Sequence, residues 1–177
     1  MGKKSWFVVC VFLLAGMLRA QSPADGTVRD HVYRNTYFKI EFAIPAALQA
    51  VDFSSLKLPP SNGREFGLMS AKKGNDPYGM VLIAETLGVG QGLYRDEEDF
   101  LHRVRVGMRL SDTQKTLSIP SRVGAPFQEL HFVTSGELGA AVVLRLNGHL
   151  LVWRCNAKSQ TDMDAMLAAI HALHKTT

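Results

Sequence analysis

Residues 140–155 read AAVVLRLNGHLLVWRC, two apolar runs on either side of Asn147-Gly148. Asn-Gly is a preferred pair for a two-residue type I′ turn, because both central positions need positive φ. Such a turn fixes the strand register, which places four pairs on one face: Leu146 with His149, Leu144 with Leu151, Val142 with Trp153, and Ala140 with Cys155. We expect this face to meet the core. The opposite face pairs Arg145 with Leu150, Val143 with Val152, and Ala141 with Arg154. Its centre is also apolar, so we predict a sheet covered on both sides.

Three more strands are predicted from alternation and turn chemistry. Residues 37–44 alternate, with Phe38, Ile40, Phe42 and Ile44 on one side, and Pro45 ends the run because it lacks an amide donor. Residues 65–72 and 78–87 flank the turn sequence 73–77 and predict a hairpin. The continuous apolar run 80–84 indicates that the second of these strands lies centrally in its sheet.

Two helices complete the predicted fold. Asp96 is a suitable N-cap, and acidic residues crowd the first turn that follows it. This helix carries an apolar stripe of Phe100, Leu101, Val104 and Met108. A closing helix begins near Ser159 or Thr161, with a stripe of Met163, Met166, Leu167, Ile170 and Leu173. The expected fold is therefore α+β, an antiparallel sheet flanked by helices, in a single domain over residues 31–177.

The segment Tyr33-x-Asn35-x-Tyr37-Phe38, which runs into the strand that stops at Pro45, resembles the opening strand of PsbP-like proteins. These are the extrinsic photosystem proteins and their bacterial relatives. The order of the remaining elements is similar over most of residues 31–175. The resemblance implies a compact antiparallel sheet flanked by helices that serves as an accessory or assembly module. It supplies no catalytic residue, and nothing in the sequence indicates a photosynthetic partner.

Residues 1–20 have the composition of a signal peptide. Lys3 and Lys4 precede an apolar run from Trp6 to Leu18, which is shorter than the roughly twenty residues that a membrane-spanning helix needs. We predict cleavage near Ala20, a flexible leader over residues 21–30, and an extracytoplasmic mature protein, periplasmic or secreted, with no permanent membrane anchor. Cys10 lies inside the apolar run and does not mark a lipid attachment site.

Export would also change the charge balance. The first twenty residues carry three basic side chains and no acid, which leaves 17 basic against 16 acidic side chains and a net charge of +1. That balance does not favour nucleic acid as a partner. Cys155 would be the one cysteine left, so no intrachain disulfide is expected, and its place in an apolar strand predicts inert packing. The sequence leaves the oligomeric state open.

The residues capable of chemistry form no recognised site in the sequence. The glycine-rich segment 88–92 precedes a helix, but Asp96, Glu97 and Glu98 would oppose a phosphate there. Glu97 and Glu98 are adjacent on a helix and cannot face each other as a catalytic dyad. His171 and His174 have helical i, i+3 spacing, and we expect them on the surface at a helix end rather than as a zinc site. Ser135 and Ser159 are expected in turn and cap positions, not as nucleophiles.

We therefore predict no catalytic, cofactor-binding or metal-binding residues, and two hypotheses for function follow. The favoured one is an exported accessory, binding or assembly module that contacts a protein partner or a small ligand of the envelope through a sheet face or a cleft beside its helices. The alternative is an extracytoplasmic enzyme of unknown reaction, with a site assembled in three dimensions from residues such as His102, His131 or His149. Convergence of these side chains in one pocket would favour the enzyme.

Overall fold

The computed structural model describes residues 22–51, 64–90, 92–111 and 114–176. Two antiparallel sheets and two helices form in this part of the chain, as expected for an α+β fold. The smaller sheet contains β1 (Gly26–Arg29), β2 (Val32–Asn35), β3 (Ile40–Ala43) and β11 (His174–Lys175), in spatial order β1-β2-β3-β11. The predicted signal peptide over residues 1–20 lies outside the described residues.

The larger sheet places its longest strands at the centre. It contains β4 (Gln49–Val51), β5 (Glu65–Lys72), β6 (Gly79–Thr86), β7 (Leu117–Ile119), β8 (Phe127–Thr134), β9 (Glu137–Leu146) and β10 (His149–Ala157). The spatial order is β4-β5-β6-β10-β9-β8-β7. The predicted central position of the run 80–84 is confirmed, because β6 lies between β5 and β10.

The hairpin of β9 and β10 has the predicted register throughout. Asn147 and Gly148 adopt φ of 50° and 75°, the positive values that the type I′ turn requires. All seven predicted pairs occur, from Leu146 opposite His149 to Ala140 opposite Cys155. Because side chains alternate across a strand, this register divides the hairpin between two separate hydrophobic cores.

Each face of the larger sheet has its own cover. One face packs against the smaller sheet and α2 (Gln160–His171), around Trp153, Phe42 and Met166. The other face packs against α1 (Glu97–Gly107), around Phe100, Leu101 and Val143. The prediction of a sheet covered on both sides is thus confirmed. No helix among the described residues is both long enough and apolar enough to cross a bilayer.

Both helices begin at predicted caps. The Asp96 carboxylate accepts a hydrogen bond from the Asp99 amide at 2.8 Å, and the Ser159 hydroxyl accepts one from the Asp162 amide at 3.2 Å. A salt bridge of 3.0 Å from Lys73 to Asp162 ties the β5–β6 turn to the start of α2. The stripe predicted for α1 is correct at Phe100 and Leu101, but Met108 lies after the last turn and is 39% exposed.

The region before residue 45 differs from its prediction. Strand β1 lies within the segment expected to be a flexible leader, so ordered structure begins before His31. The strand predicted over residues 37–44 is shorter, because residues 36–39 form the turn of a β2–β3 hairpin. Asn35 builds this turn: its buried side chain accepts from the Phe38 amide at 3.0 Å and donates to the Pro23 carbonyl at 2.9 Å.

Candidate functional site

The three histidines considered as parts of an enzyme site lie in three different surroundings. His102 is exposed on α1 and lines a cavity of about 410 Å³ together with three acidic side chains and two arginines. His149 is buried, its ring lies edge-on to Tyr37 and Phe38, and its Nδ1 is 2.9 Å from the Asn147 carbonyl oxygen. His131 lies on β8 next to Glu129. These three side chains therefore do not converge in one pocket.

Glu129 is a buried carboxylate held between two histidines. Its side chain is 1% exposed and faces α2 from β8. One carboxylate oxygen lies 2.9 Å from His131 Nε2, and the other is hydrogen-bonded to His171 Nε2 at the end of α2. A carboxylate can only accept, so both Nε2 atoms carry hydrogen in this arrangement. We call these three residues the Glu129 clasp.

The electrostatics of the clasp favour the ionised carboxylate. Burial alone would raise the pKa of Glu129, but the hydrogen bonds from His131 and His171 and their positive charge outweigh it, so the pKa is lowered. The bonds hold the end of α2 against β8 and occupy both carboxylate oxygens. No group of three or more His, Cys, Asp or Glu side chains within the described ranges is arranged to bind a metal ion.

The predicted surface pair His171 and His174 is separated by the structure. The helix ends at His171, which turns inward to Glu129 and is partly buried. His174 lies on β11, where its Nε2 is 3.0 Å from Glu41. The expectation of two surface histidines at a helix end holds only in part, because His171 is at the helix end but its side chain is 32% exposed and hydrogen-bonded to Glu129. The change of backbone after Ala172 directs the two rings to different partners.

Cys155 is packed as predicted. Its residue is 1% exposed, and its side chain belongs to the core between the larger sheet and α2. Burial raises the pKa of the thiol to about 12, and the negative charge of Glu129 acts in the same direction. The thiol is therefore protonated at physiological pH and has no nucleophilic character.

A second buried carboxyl lies on the α1 face of the larger sheet. Glu85 is 8% exposed and stands directly opposite Glu65 on β5. Burial raises the pKa of Glu85 to about 7, the like charge of Glu65 raises it further, and the charge of Arg154 lowers it. The apolar pattern of β6 gave no sign of this group, because Glu85 follows the run from Met80 to Ala84.

The same face carries a cavity of about 390 Å³ beneath α1, here called the α1 cavity. Its lining includes Tyr94, Phe100, Val104, Met108, Phe132 and Arg154. The floor is low because Ala141 has a small side chain and the neighbouring Gly139 has none. Phe132 leans across Gly139 so closely that a Cβ there would be 2.1 Å from the Phe132 ring. The sequence of β9 therefore creates the space under the helix.

Two arginines supply the charge of the α1 cavity. Arg103 is partly engaged: its Nη2 donates to Asp99 at 2.9 Å and to the Leu93 carbonyl at 2.7 Å, and its guanidinium carbon lies 4.8 Å from the Tyr94 ring centre. Arg154 makes no hydrogen bond or ion pair to any residue that the structure describes. The strand register had already placed Arg154 on this face beside Ala141, which was the available signal for the site.

Comparison with known proteins finds a similar fold among solved structures. No family model matches the chain. No curated protein matches it either. Among solved structures, the chain is similar to the solution structure of cyanobacterial PsbP (CyanoP) from Synechocystis sp. PCC 6803, with a TM-score of 0.55 and 13% sequence identity. The match covers 87% of this chain and 94% of that chain. The chain thus has a PsbP-like fold, and at this identity the similarity concerns the fold alone.

Proposed function

We propose that this protein is an exported accessory module, which acts by binding a partner in the envelope. The observation that carries the proposal is the PsbP-like fold, shared with cyanobacterial PsbP over almost the whole length of that chain. A fold by itself does not dictate an activity, so the proposal also relies on how the polar side chains of this chain are used.

The arrangement of these side chains supports binding rather than chemistry. The histidines that could have formed an enzyme site are dispersed. In the Glu129 clasp, both carboxylate oxygens are already hydrogen-bonded to histidines, and one of these bonds joins α2 to β8. Cys155 is buried and protonated. The α1 cavity, by contrast, is an open volume of about 390 Å³, within the range typical of small-ligand sites. A cleft beside a helix is one of the two binding surfaces expected from the sequence.

The proposal includes export, which rests on residues 1–20. The two lysines followed by an apolar run have the composition of a cleavable signal peptide. In an extracytoplasmic compartment the partner would be a protein or a small ligand of the envelope. A nearly neutral mature chain gives no electrostatic reason for binding nucleic acid.

Export is tested by fractionating cells that express the full chain with a C-terminal tag. We expect the tagged protein in the extracytoplasmic fraction, with an N-terminus near Gln21 by mass spectrometry. The double variant Leu13→Lys and Leu14→Lys interrupts the apolar run and should keep the chain uncleaved in the cytosol. Leu117→Lys is a matched control, because this exposed residue lies on the edge strand β7. An intact N-terminus on cytosolic wild-type protein would disprove export.

The accessory role is tested by the size of the native species. Envelope extracts are crosslinked, and the tagged chain is followed by native electrophoresis and mass spectrometry. We expect it in an assembly larger than itself, and we expect that assembly to lose stability in a strain that lacks the chain. If the mature chain migrates alone under crosslinking and its deletion changes no envelope assembly, the accessory role is wrong.

A further inference from the structure

We propose that the α1 cavity binds a small organic carboxylate with an apolar body, whose carboxylate pairs with Arg154 while its body lies between Phe132 and α1. This inference goes beyond the accessory role and does not depend on it. The cavity belongs to one chain, so its ligand can be measured on isolated protein whether or not a partner assembly exists.

The space for the apolar body follows from β9. Ala141 lowers the floor beneath α1, and the wall opposite is the ring of Phe132, which lies against Gly139. The Phe132 ring lies directly against Gly139, where a Cβ would come within 2.1 Å of it. The helix side is formed by Val104 and by Met108, which is 39% exposed at the rim. Such a lining favours an aliphatic or aromatic body.

The positive charges of Arg103 and Arg154, which line the α1 cavity, favour an anionic ligand. Arg103 already shares its Nη2 between Asp99 and the Leu93 carbonyl and is paired with Asp99, so it adds positive charge that is partly neutralised. Arg154 has its whole guanidinium available within the described part of the chain, and a planar guanidinium matches a carboxylate with two parallel hydrogen bonds. The Asn156 amide, two residues along β10, also lines the cavity and adds a neutral polar group.

The surrounding charges are compatible with this ligand. Glu85 and Tyr94 are the acidic groups that interact with Arg154, and neither forms a hydrogen bond with it. An incoming carboxylate therefore displaces no hydrogen-bond partner of Arg154 among the residues that the structure describes. Arg154 is exposed where it lines the cavity, so an incoming carboxylate can reach its guanidinium from solvent.

The experiment measures binding of 2-naphthoate and of its neutral analogue 2-naphthamide to the purified protein by isothermal titration calorimetry. We expect 2-naphthoate to bind with a Kd at least about tenfold lower than that of 2-naphthamide, because only the anion pairs with Arg154. Arg154→Gln should raise the Kd of 2-naphthoate about tenfold and leave that of 2-naphthamide nearly unchanged. Arg29→Gln, an exposed arginine on β1 of the other sheet, should change neither.

A second variant tests the location. Ala141→Leu fills the floor of the cavity and should weaken both ligands, provided that circular dichroism and thermal melting show a folded protein. Equal affinity for the two ligands, or an unchanged Kd in Arg154→Gln, would overturn the proposed carboxylate pairing. Failure of both ligands to bind at millimolar concentration would overturn the site itself. None of these results bears on export or on the partner assembly, so the two proposals fail separately.

Discussion

The Nε2 atom of His171 is hydrogen-bonded to a carboxylate oxygen of Glu129, which lies 42 residues earlier in the chain. This bond joins the last turn of α2 to β8. The same carboxylate accepts from His131 two residues further along the strand. A buried carboxylate with both oxygens occupied is thus a structural joint between the closing helix and the outer part of the larger sheet.

Glu129→Gln should destabilise the fold. The amide keeps the shape but replaces one accepting oxygen with a donor, which would face a histidine N–H and leave it without an acceptor. We expect a loss of about 1 to 3 kcal/mol in the free energy of unfolding, measured by urea denaturation. Glu41→Gln is the matched control, because Glu41 also pairs with a histidine but is more exposed, and its effect should be clearly smaller. Equal losses of unfolding free energy in the two variants would contradict the proposed stabilising role of the buried Glu129 carboxylate.

The stabilisation from Glu129 should depend on pH. Its pKa is lowered in the folded protein, so the native state binds fewer protons than the unfolded chain in acid. The contribution of Glu129 to the free energy of unfolding is complete above its ordinary pKa of 4.5. It is lost as the pH falls through the lowered pKa that Glu129 has in the folded state. The difference in unfolding free energy between wild type and Glu129→Gln should therefore shrink as the pH falls below 4.5. A difference that grows in acid would contradict this assignment.

Glu85 should have the opposite pH dependence. Its folded pKa of about 7 lies above the ordinary value of 4.5, so the folded state binds more protons between these values and loses stability as the pH rises. Glu85→Gln removes the ionisable group. Relative to wild type, the variant should gain stability between pH 4.5 and pH 7, by at most about 3 kcal/mol. Urea denaturation at pH 4.5 and pH 8 measures the gain, and an equal difference at both pH values would show that Glu85 titrates normally.

Gly139→Ala should disturb the wall of the α1 cavity. The new Cβ would lie 2.1 Å from the Phe132 ring, so the ring must move, at an expected loss of about 1 to 3 kcal/mol. Adding Phe132→Leu should recover part of this loss, and the double-mutant cycle measures the coupling. Gly107→Ala is the control, since its Cβ meets nothing within 4 Å and alanine favours a helix. Additive effects at Gly139 and Phe132 would contradict the contact.

The thiol of Cys155 should be unreactive in the native mature protein. Burial and a pKa of about 12 leave almost no thiolate at pH 8, so a disulfide reagent should modify the thiol only as the protein unfolds. The colour released by Ellman's reagent measures the rate with and without urea. Rapid reaction of native protein would show that the strand opens locally. A second thiol, Cys10, would be counted if residues 1–20 were retained.

Some parts of the larger sheet could not be predicted from hydrophobic alternation. Strand β8 places Phe127, Glu129 and His131 on the side that faces α2, so a charged residue occupies a core position and interrupts the apolar pattern. Alternation of apolar residues does not reveal this position, because Glu129 can be buried only when it accepts a hydrogen bond from His171 on α2, which is distant in sequence. The edge strands β4 and β7 have three residues each, too few to show a period.

The amino-acid sequence by itself determined the elements whose causes are local. Asn147-Gly148 permits positive φ and so sets the register of the central hairpin, while Asp96 and Ser159 satisfy the free amides that begin each helix. Only the tertiary structure decided which polar groups meet. Glu129 with His171, Glu85 with Glu65, and Arg154 with the space under α1 come together through packing of separate elements. Such contacts depend on three-dimensional distance, which the spacing of residues along a chain does not specify.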